Sequence, residues 1–496
     1  MRHQEKIGHA IVIGAGTAGL LAARVLRERA AKVTIIERDP LTDKTMTRRG
    51  LPQGQHFHLM MGAGSQVLNE LFPSLLDELD RAGVTIADCG RDWVLYAQPG
   101  VWLPRFSNGI PSMGCTRTTL DFHMRRLLLT SPNIELRTGL SVGGLCVDKR
   151  AHRITGVRLA RNGAGAKEEI LSADLVVDVS GRGSRTPAWL VELGYAAPPD
   201  EEVVINLAYC TRLYRPFPGQ QQPDWQVTTI QPDTVHGRRG GFLMRINGGL
   251  TLATLFGYAG EHPPHDEAGF LEFARSLPQP LIYDHLKHAI PAADPGIFKF
   301  PANRRRHYEL LDTMPDGLVV LGDAAYATNP THGQGMTMSC LAAVELGRCL
   351  DEQRDPSLCG LSLRFQKRLA ALLEQPWSRV ITEELRRPDI AGRRPFGLSF
   401  LHWYSLRILE LCSTDRDAYH VFSRVLHMLG NPTLLLRPTM LVKVLRHRLR
   451  QWWTSGVPSK VVPKPESTPR YIMAPRAVLQ RSYAREMERR AENLAG

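Results

Sequence analysis

No two of the eight cysteines stand at CxxC spacing; Cys89, Cys115, Cys146, Cys210, Cys340, Cys349, Cys359 and Cys412 are scattered along the chain. A chain of 496 residues needs no disulfide scaffold, and reduced thiols in the cytoplasm are the plain expectation. There is no HExxH and no clustered Cys/His set, so no metal is expected. No stretch reaches the roughly 18 consecutive apolar residues that a membrane-spanning helix needs. A Ser/His/Asp or Cys/His nucleophile pattern is also missing, which turns attention from covalent catalysis by the protein toward a bound cofactor. RNP-like and zinc-finger signatures are absent too, and no nucleic-acid partner is expected.

What the chain does carry is positive charge. Its formal net charge is +13, mostly arginine in origin and denser toward the C-terminus. Such a balance suits anionic cofactors or anionic lipid. The length exceeds one compact core, so at least two domains are expected. A hydrophobic fraction of 43% is that of a folded globular protein. Arg2 and Lys6, ahead of the apolar run Ala10 to Ala23, imitate a secretory signal. That run contains Gly14, Gly16 and Gly19 at a spacing with its own mechanism, and it reads as folded core.

Ala10 to Ile13 suits a buried parallel strand, GAGTAG follows at 14–19, LLAARVLRER reads as a helix, and a second strand, Val33 to Ile36, ends at Glu37. Gly14 permits the tight turn, Gly16 lets backbone approach a pyrophosphate, and Gly19 lets helix and strand pack closely. The helix N-terminus offers free N–H groups and the positive end of its dipole to phosphates. Glu37 stands where a carboxylate binds ribose hydroxyls and would repel a 2′-phosphate, so NADP at this site is disfavoured. FAD and NAD both remain open on this motif.

A second pattern is GLVVLGDAAYATNPTHGQGM at 317–336: a buried strand, an acid at its end, a Pro/Gly loop and a helix from about Met336. The acid can accept a ribityl hydroxyl, and the helix N–H groups can stabilise negative charge on a reduced flavin. An ordinary strand–turn–helix connection reads the same way. GD followed by P and GxGM resembles the second FAD motif of the flavoprotein monooxygenases, which include the p-hydroxybenzoate hydroxylase type and the squalene epoxidases. The resemblance implies that Asp323 holds the ribitol, that Met336 contacts the isoalloxazine and that Gly335 belongs to the same cofactor-binding set. ERDP at 37–40 and RRGLPQGQHFH at 48–58 resemble the loop beside the flavin, implying contacts from Arg38, Arg48, Arg49 and Gly50. RTTLDFHMRRLL at 117–128 resembles the helix whose first polar residue, Arg117, touches FAD; Arg125 is a weaker candidate there. The PQG and HxH version is similar to bacterial epoxidases acting on polyene and polyketide precursors. In DLVVDVSGRGSRTPAWL at 174–190, Asp178 and Arg185 fit the family's third motif, but Ser-Gly-Arg-Gly-Ser replaces its central Asp-Gly. That departure leaves two electron routes open: NAD(P)H directly, or a separate flavin reductase.

The expected fold is α/β (α+β). A Rossmann-like FAD domain is built from 1–90, 107–186 and 300–350. An interleaved substrate domain of antiparallel sheet spans 91–106 and 187–299, a helical region 351–455, and a linker with a terminal helix from about Pro475 occupies 456–496. WVLYA, VVINLAYCTRLY, WQVTTI and LTLATLFGY all suit strands. From Pro438, Leu441, Val444, Leu445, Leu449 and Trp452 share one helical face, and Lys443, Arg446, His447 and Arg450 the other. A helix packed on its own protein with a solvated basic face is the favoured reading, and peripheral membrane contact through 438–453 the alternative.

The resemblance implies a monooxygenase. A flavin C4a-hydroperoxide gives one oxygen of O2 to the substrate, and the other leaves as water. The expected substrate is lipophilic, by epoxidation or hydroxylation, with an alkene favoured over a phenol; Leu207, Tyr209, Leu252 and Phe256 are candidate pocket residues. His56 and His58 are the candidate catalytic side chains, with a structural role as their other reading. Three alternatives remain. A prenyl-lipid reductase would use the same scaffold. A halogenase would need a catalytic lysine and WxWxIP, of which only Trp225 in WQVTTIQP stands here. A redox-inactive protein stabilised by FAD is the third.

Overall fold

The computed structural model describes residues 7–42, 48, 50–161, 168–232, 234, 236–246, 249–454 and 462–464. Arg49, the helix expected from Pro475 and most of the 456–475 linker lie outside them. Four apolar runs become neighbouring strands because each is buried on both faces, as a parallel sheet requires. The order is Leu318–Val320, Leu175–Asp178, Ile7–Ile13, Ala30–Glu37 and, at the edge, Ile134–Thr138, all parallel. Ile13 lies opposite Ile36 on one side and Asp178 on the other, and Asp178 lies opposite Val320. The carboxyl ends of four strands therefore open along one edge. The first strand is central, which puts the topological switch point, where open α/β sheets bind ligands, directly above it. Helices Thr17–Leu26, Arg117–Leu128 and Gly335–Asp351 pack together on this sheet. A three-stranded antiparallel sheet, Leu140–Asp148, Arg153–Arg161 and Glu169–Ser172, packs on the same strands.

The Gly14 turn is tight: its φ is +111°, and its N–H donates to the Ile36 carbonyl at 2.8 Å. A Cβ on Gly19 would stand 1.9 Å from the Gly14 carbonyl oxygen. Helix and strand thus meet at a distance that only glycine allows.

A second, larger sheet runs Tyr326–Ala327, Gly296–Arg306, Asp200–Arg215, Thr251–Gly257, Arg239–Arg245, Val227–Ile230, Trp93–Ala97 and Val101–Trp102. The four segments read as strands from their alternation all lie in it. It is not wholly antiparallel: Val227–Ile230 pairs in parallel with Trp93–Ala97. These two strands come from segments more than a hundred residues apart, and so long a connection can supply the crossover that parallel pairing needs. The expected boundary at 300 falls inside the strand Gly296–Arg306. Alternation sorts the two faces. Cys210 and Tyr214 pack against Phe270, Phe273 and Ile282 of the covering helical segments. Leu207 and Tyr209 face the opposite way, with Phe242, Phe256 and Phe300.

After residue 351 the chain is helical: Leu361–Glu384, Leu398–Cys412, Arg416–Leu426 and Pro438–Thr454. Tyr404, Ile408, Tyr419, Met440 and Val444 close a core over Leu95, Ala97 and Val101 of the large sheet. The last helix departs from its amphipathic reading. Its buried side holds Met440 and Val444 and turns Lys443 and His447 partly inward; Lys443 Nζ meets Asp415 at 2.9 Å, and His447 Nδ1 lies 3.5 Å from Thr414. Leu441, Leu445, Leu449 and Trp452 are exposed instead. Lys443 thus pairs with Asp415, the N-cap of the preceding helix, on the packed side. Among the described residues no helix is long and apolar enough to cross a membrane.

Gly19→Ala is expected to destabilise the fold by about 1–3 kcal/mol, because its neighbour is backbone and cannot swing aside. The urea midpoint should fall with an unchanged m-value. An unshifted midpoint would mean that helix and strand separate freely.

Candidate functional site

A cavity of about 1380 Å³ starts at the carboxyl ends of the parallel strands and continues between the large sheet and the C-terminal helices. Gly14, Gly16, Glu37, Arg38, His56, His58, Arg117, Asp323, Gly335 and Met336 all line it; Gly19 sits behind it as a packing residue.

At the dinucleotide end, Gly16 caps the Thr17–Leu26 helix with no side-chain bond, so the first N–H groups stay open to a ligand. Glu37 Oε2 accepts the Ala15 N–H at 2.9 Å and Arg48 Nη1 at 3.0 Å, and Oε1 accepts the Asp39 N–H at 3.0 Å. Of four lone-pair positions three are used, leaving one for a ribose hydroxyl. Arg48 continues to the Ala15 carbonyl at 3.0 Å and Asp121 at 3.4 Å. Asp121 also accepts from Thr17 and from Arg117 Nε at 3.0 Å. Two arginines and two carboxylates, all nearly buried, balance beneath the glycine turn.

Asp323 follows the Leu318–Val320 strand and faces the cavity with no hydrogen bond or ion pair among the described residues. Burial pushes its carboxyl above the usual range, while Arg117 and Arg182 draw it back. The Pro330–His332 turn and Gly333, at φ +65°, lead into the Gly335–Asp351 helix, which also lacks a side-chain cap. A Cβ on Gly335 would meet nothing within 4 Å. An orphan carboxylate, an open helix terminus and free space beside it are what a ribityl chain and a flat ring require, so these residues fit FAD.

Asp178 does something else. Its Oδ1 accepts from Ser180 N and Oγ at 2.9 and 2.6 Å, and Oδ2 from Ser184 Oγ and Thr186 Oγ1 at 2.5 and 2.6 Å. All its lone pairs are spent on holding the 180–186 turn, and Arg182 and Arg185 are the side chains that reach the cavity.

Burial, then the charge of its neighbour His58, lowers His56 to about 4; burial, then Arg117, lowers His58 to about 4. Both imidazoles are therefore neutral near pH 7. His56 Nδ1 bonds Thr211 Oγ1 at 2.7 Å, and His58 Nδ1 the His56 carbonyl at 2.9 Å.

A polar cluster that the motifs leave unmarked centres on Asn329. Its Nδ2 donates to Tyr258 at 2.9 Å and Glu384 at 2.6 Å, its Oδ1 accepts from Tyr209 at 3.4 Å and Thr331 N at 3.0 Å, and its own N–H donates to Asn303 at 2.6 Å. His332 Nε2 lies 3.3 Å from Glu384, and Arg387 lies over the Tyr258 ring at 3.7 Å. Burial alone would raise Glu384; the bond and charge of His332, then Arg387 and Asn329, outweigh it and hold the carboxyl below its ordinary value. Asn329 and His332 stand inside NPTHGQGM and were within reach of the sequence. Glu384, in ITEELRR, stands in no motif that would have singled it out.

A family model described as FAD dependent oxidoreductase matches residues 10–197. "Protein Rv3254" of Mycobacterium tuberculosis (strain ATCC 25618 / H37Rv) is 31% identical over 90% of this chain and 94% of its own. A kynurenine 3-monooxygenase of Salinispora tropica is 25% identical over 71% and 74%. The solved flavin-dependent brominase Bmp2 shares the fold at TM-score 0.62 and 13% identity, over 90% of this chain and 100% of its own.

Asp323→Ala is expected to weaken FAD about tenfold to a hundredfold, the worth of one charge-assisted hydrogen bond of roughly 1.5–3 kcal/mol. Fluorescence titration of the refolded apoprotein reads it, with circular dichroism as the control for folding. An unchanged dissociation constant would remove the ribityl role from Asp323.

Proposed function

This chain belongs to the FAD-dependent monooxygenase family, and from that premise we propose that it inserts one atom of O2 into a lipophilic substrate, preferentially an alkene. The observation that carries the reading is the continuity of the cavity. Its dinucleotide end passes at the Pro330–Met336 loop into a compartment walled by Trp93, Leu95, Phe242, Phe256, Tyr404 and Ile408. Bound FAD would supply the oxygen-activating chemistry, with two electrons from NAD(P)H directly or through a separate reductase. In the proposed assignment Glu37 and Asp323 accept ribose and ribityl hydroxyls, and the Thr17 helix terminus holds the pyrophosphate. The Gly335 terminus directs N–H groups at negative charge on the ring edge. Arg38 and Arg117 offset phosphate charge. The apolar walls exclude water from the reacting alkene.

Hydroxylation of a phenol is the second reading, and the His332–Glu384 pair favours it: a cavity imidazole backed by a buried carboxylate can accept a phenol proton. No lysine lines the cavity among the described residues, which ranks a halogenase behind both. The protein is expected to purify yellow, with one non-covalent FAD per chain. Photoreduced holoprotein should then place one labelled oxygen from O2 across an alkene. Labelled product from small charged phenols alone would transfer the proposal to hydroxylation; FAD reoxidised with no labelled product would sink it, and alkene reduction without O2 would mark a reductase.

We extend the proposal to a membrane surface. Leu441, Leu445 and Leu449 make an exposed row at helical spacing beside Arg446 and Arg450, a geometry suited to anionic headgroups. The holoprotein should co-sediment with phosphatidylglycerol vesicles, and a Leu445→Asp/Leu449→Asp variant should stay in the supernatant. Equal sedimentation of both proteins would refute it.

A further inference from the structure

We propose that Arg379 and His427 form a subsite for the oxyanion of a lipophilic acid, so that the proposed substrate carries an acidic group as well as an apolar body. The inference rests on the monooxygenase reading only in taking the apolar compartment as the substrate's.

Three arginines of the segment 379–387 line this part of the cavity. Arg386 is matched: it bonds Gln98 at 2.9 Å, Glu383 at 2.9 Å and Ser405 at 2.8 Å. Arg387 is matched by Glu384 at 3.5 Å and the Tyr258 ring. Arg379 has no hydrogen bond and no ion pair among the described residues. Glu383 acts on it only from a distance, its carboxylate being taken by Arg386. Burial works against the Arg379 charge and pulls its pKa down. Arg379 is partly buried and lines the cavity with no carboxylate paired to it among the described residues, so an anion entering there would meet an unneutralised cation.

His427 supplies a second donor. It is almost fully buried, and burial, then the nearby Arg379 charge, lowers it to about 4, so it is neutral. Its Nδ1 accepts the Gly62 N–H at 3.1 Å, which places the ring proton on Nε2. Nε2 has no partner among the described residues, and the side chain borders the cavity. A cation and a neutral N–H donor thus serve one compartment whose other walls are Trp93, Leu95, Phe422 and Val425. A hydrocarbon alone would leave both polar groups unpaired, whereas an oxyanion is the complement of each.

The test uses FAD-loaded protein and two fluorescent probes of nearly the same shape, anionic 1-anilinonaphthalene-8-sulfonate and neutral N-phenyl-1-naphthylamine, in physiological salt. The wild type should prefer the anionic dye. Arg379→Met should lose that preference by about tenfold to a hundredfold, with the neutral dye and FAD content unchanged. Arg379→Lys should recover part of it. No anion preference in the wild type, binding of neither dye, equal loss of both dyes in the Met variant, or a preference that survives it would overturn the subsite. Should Arg379→Met not fold, Arg379→Gln answers the same question, and the wild-type ratio stands by itself. Protein that never binds FAD defeats the preceding reading; yellow protein whose dye preference ignores Arg379 defeats this one alone.

Discussion

Glu37 and Asp121 are carboxylates taken out of water, and Arg48 and Arg117 are the cations that make this tolerable. Removing one member of such a set leaves a buried charge unpaired, which costs about 3–5 kcal/mol. The four groups come from the end of the second strand, the loop after it and the Arg117–Leu128 helix. Their mutual need therefore fixes three segments, distant in sequence, around one glycine turn. The Ala15 N–H and carbonyl are held within the same set, by Glu37 and Arg48. The backbone of the glycine turn is thus held by these side chains alone, and a phosphate bound there would not have to order it.

Asn329 plays the corresponding part at the other end. It joins the large sheet through Tyr209 and Asn303, Tyr258 just beyond that sheet, and the Leu361–Glu384 helix through Glu384. A loop pinned from several sides keeps the Gly335 helix terminus at a constant height above the sheet. Because the hydrogen-bonding capacity of Asn329 is nearly all used, the cluster is rigid rather than merely polar. The dinucleotide and apolar compartments share this loop, so the position of one wall determines both.

The dinucleotide half was legible because its chemistry is local. GAGTAG, Glu37 and GD…GQGM each lie within a strand–turn–helix passage, and the backbone that gives them their function is built from the same few residues. Even there the sequence was silent on division of labour. Asp178 matched a motif position, yet its oxygens are consumed by Ser180, Ser184 and Thr186. His56 and His58 stood in a suggestive loop and line the cavity, yet burial lowers both imidazoles, which no motif position could show. Motif position identifies where a residue is; burial and partners decide what it can still do.

The apolar half was legible only in part: Tyr209 and Phe256, read as pocket residues, line the cavity, and Leu207 and Leu252 do not. Trp93, Tyr209, Phe256, Arg379, Tyr404 and His427 reach one cavity from across more than three hundred residues. No window of sequence contains two of its opposing walls. Periodicity shows only which side chains share a face, never which face is turned inward. The Pro438–Thr454 helix illustrates the limit: its most apolar stripe points outward, while Met440 and Val444 pack in the core and Lys443 pairs with Asp415. The same limit holds for Arg379 and Glu384, both on the Leu361–Glu384 helix. Their meaning comes from what the fold places opposite them, a buried asparagine in one case and an apolar chamber in the other.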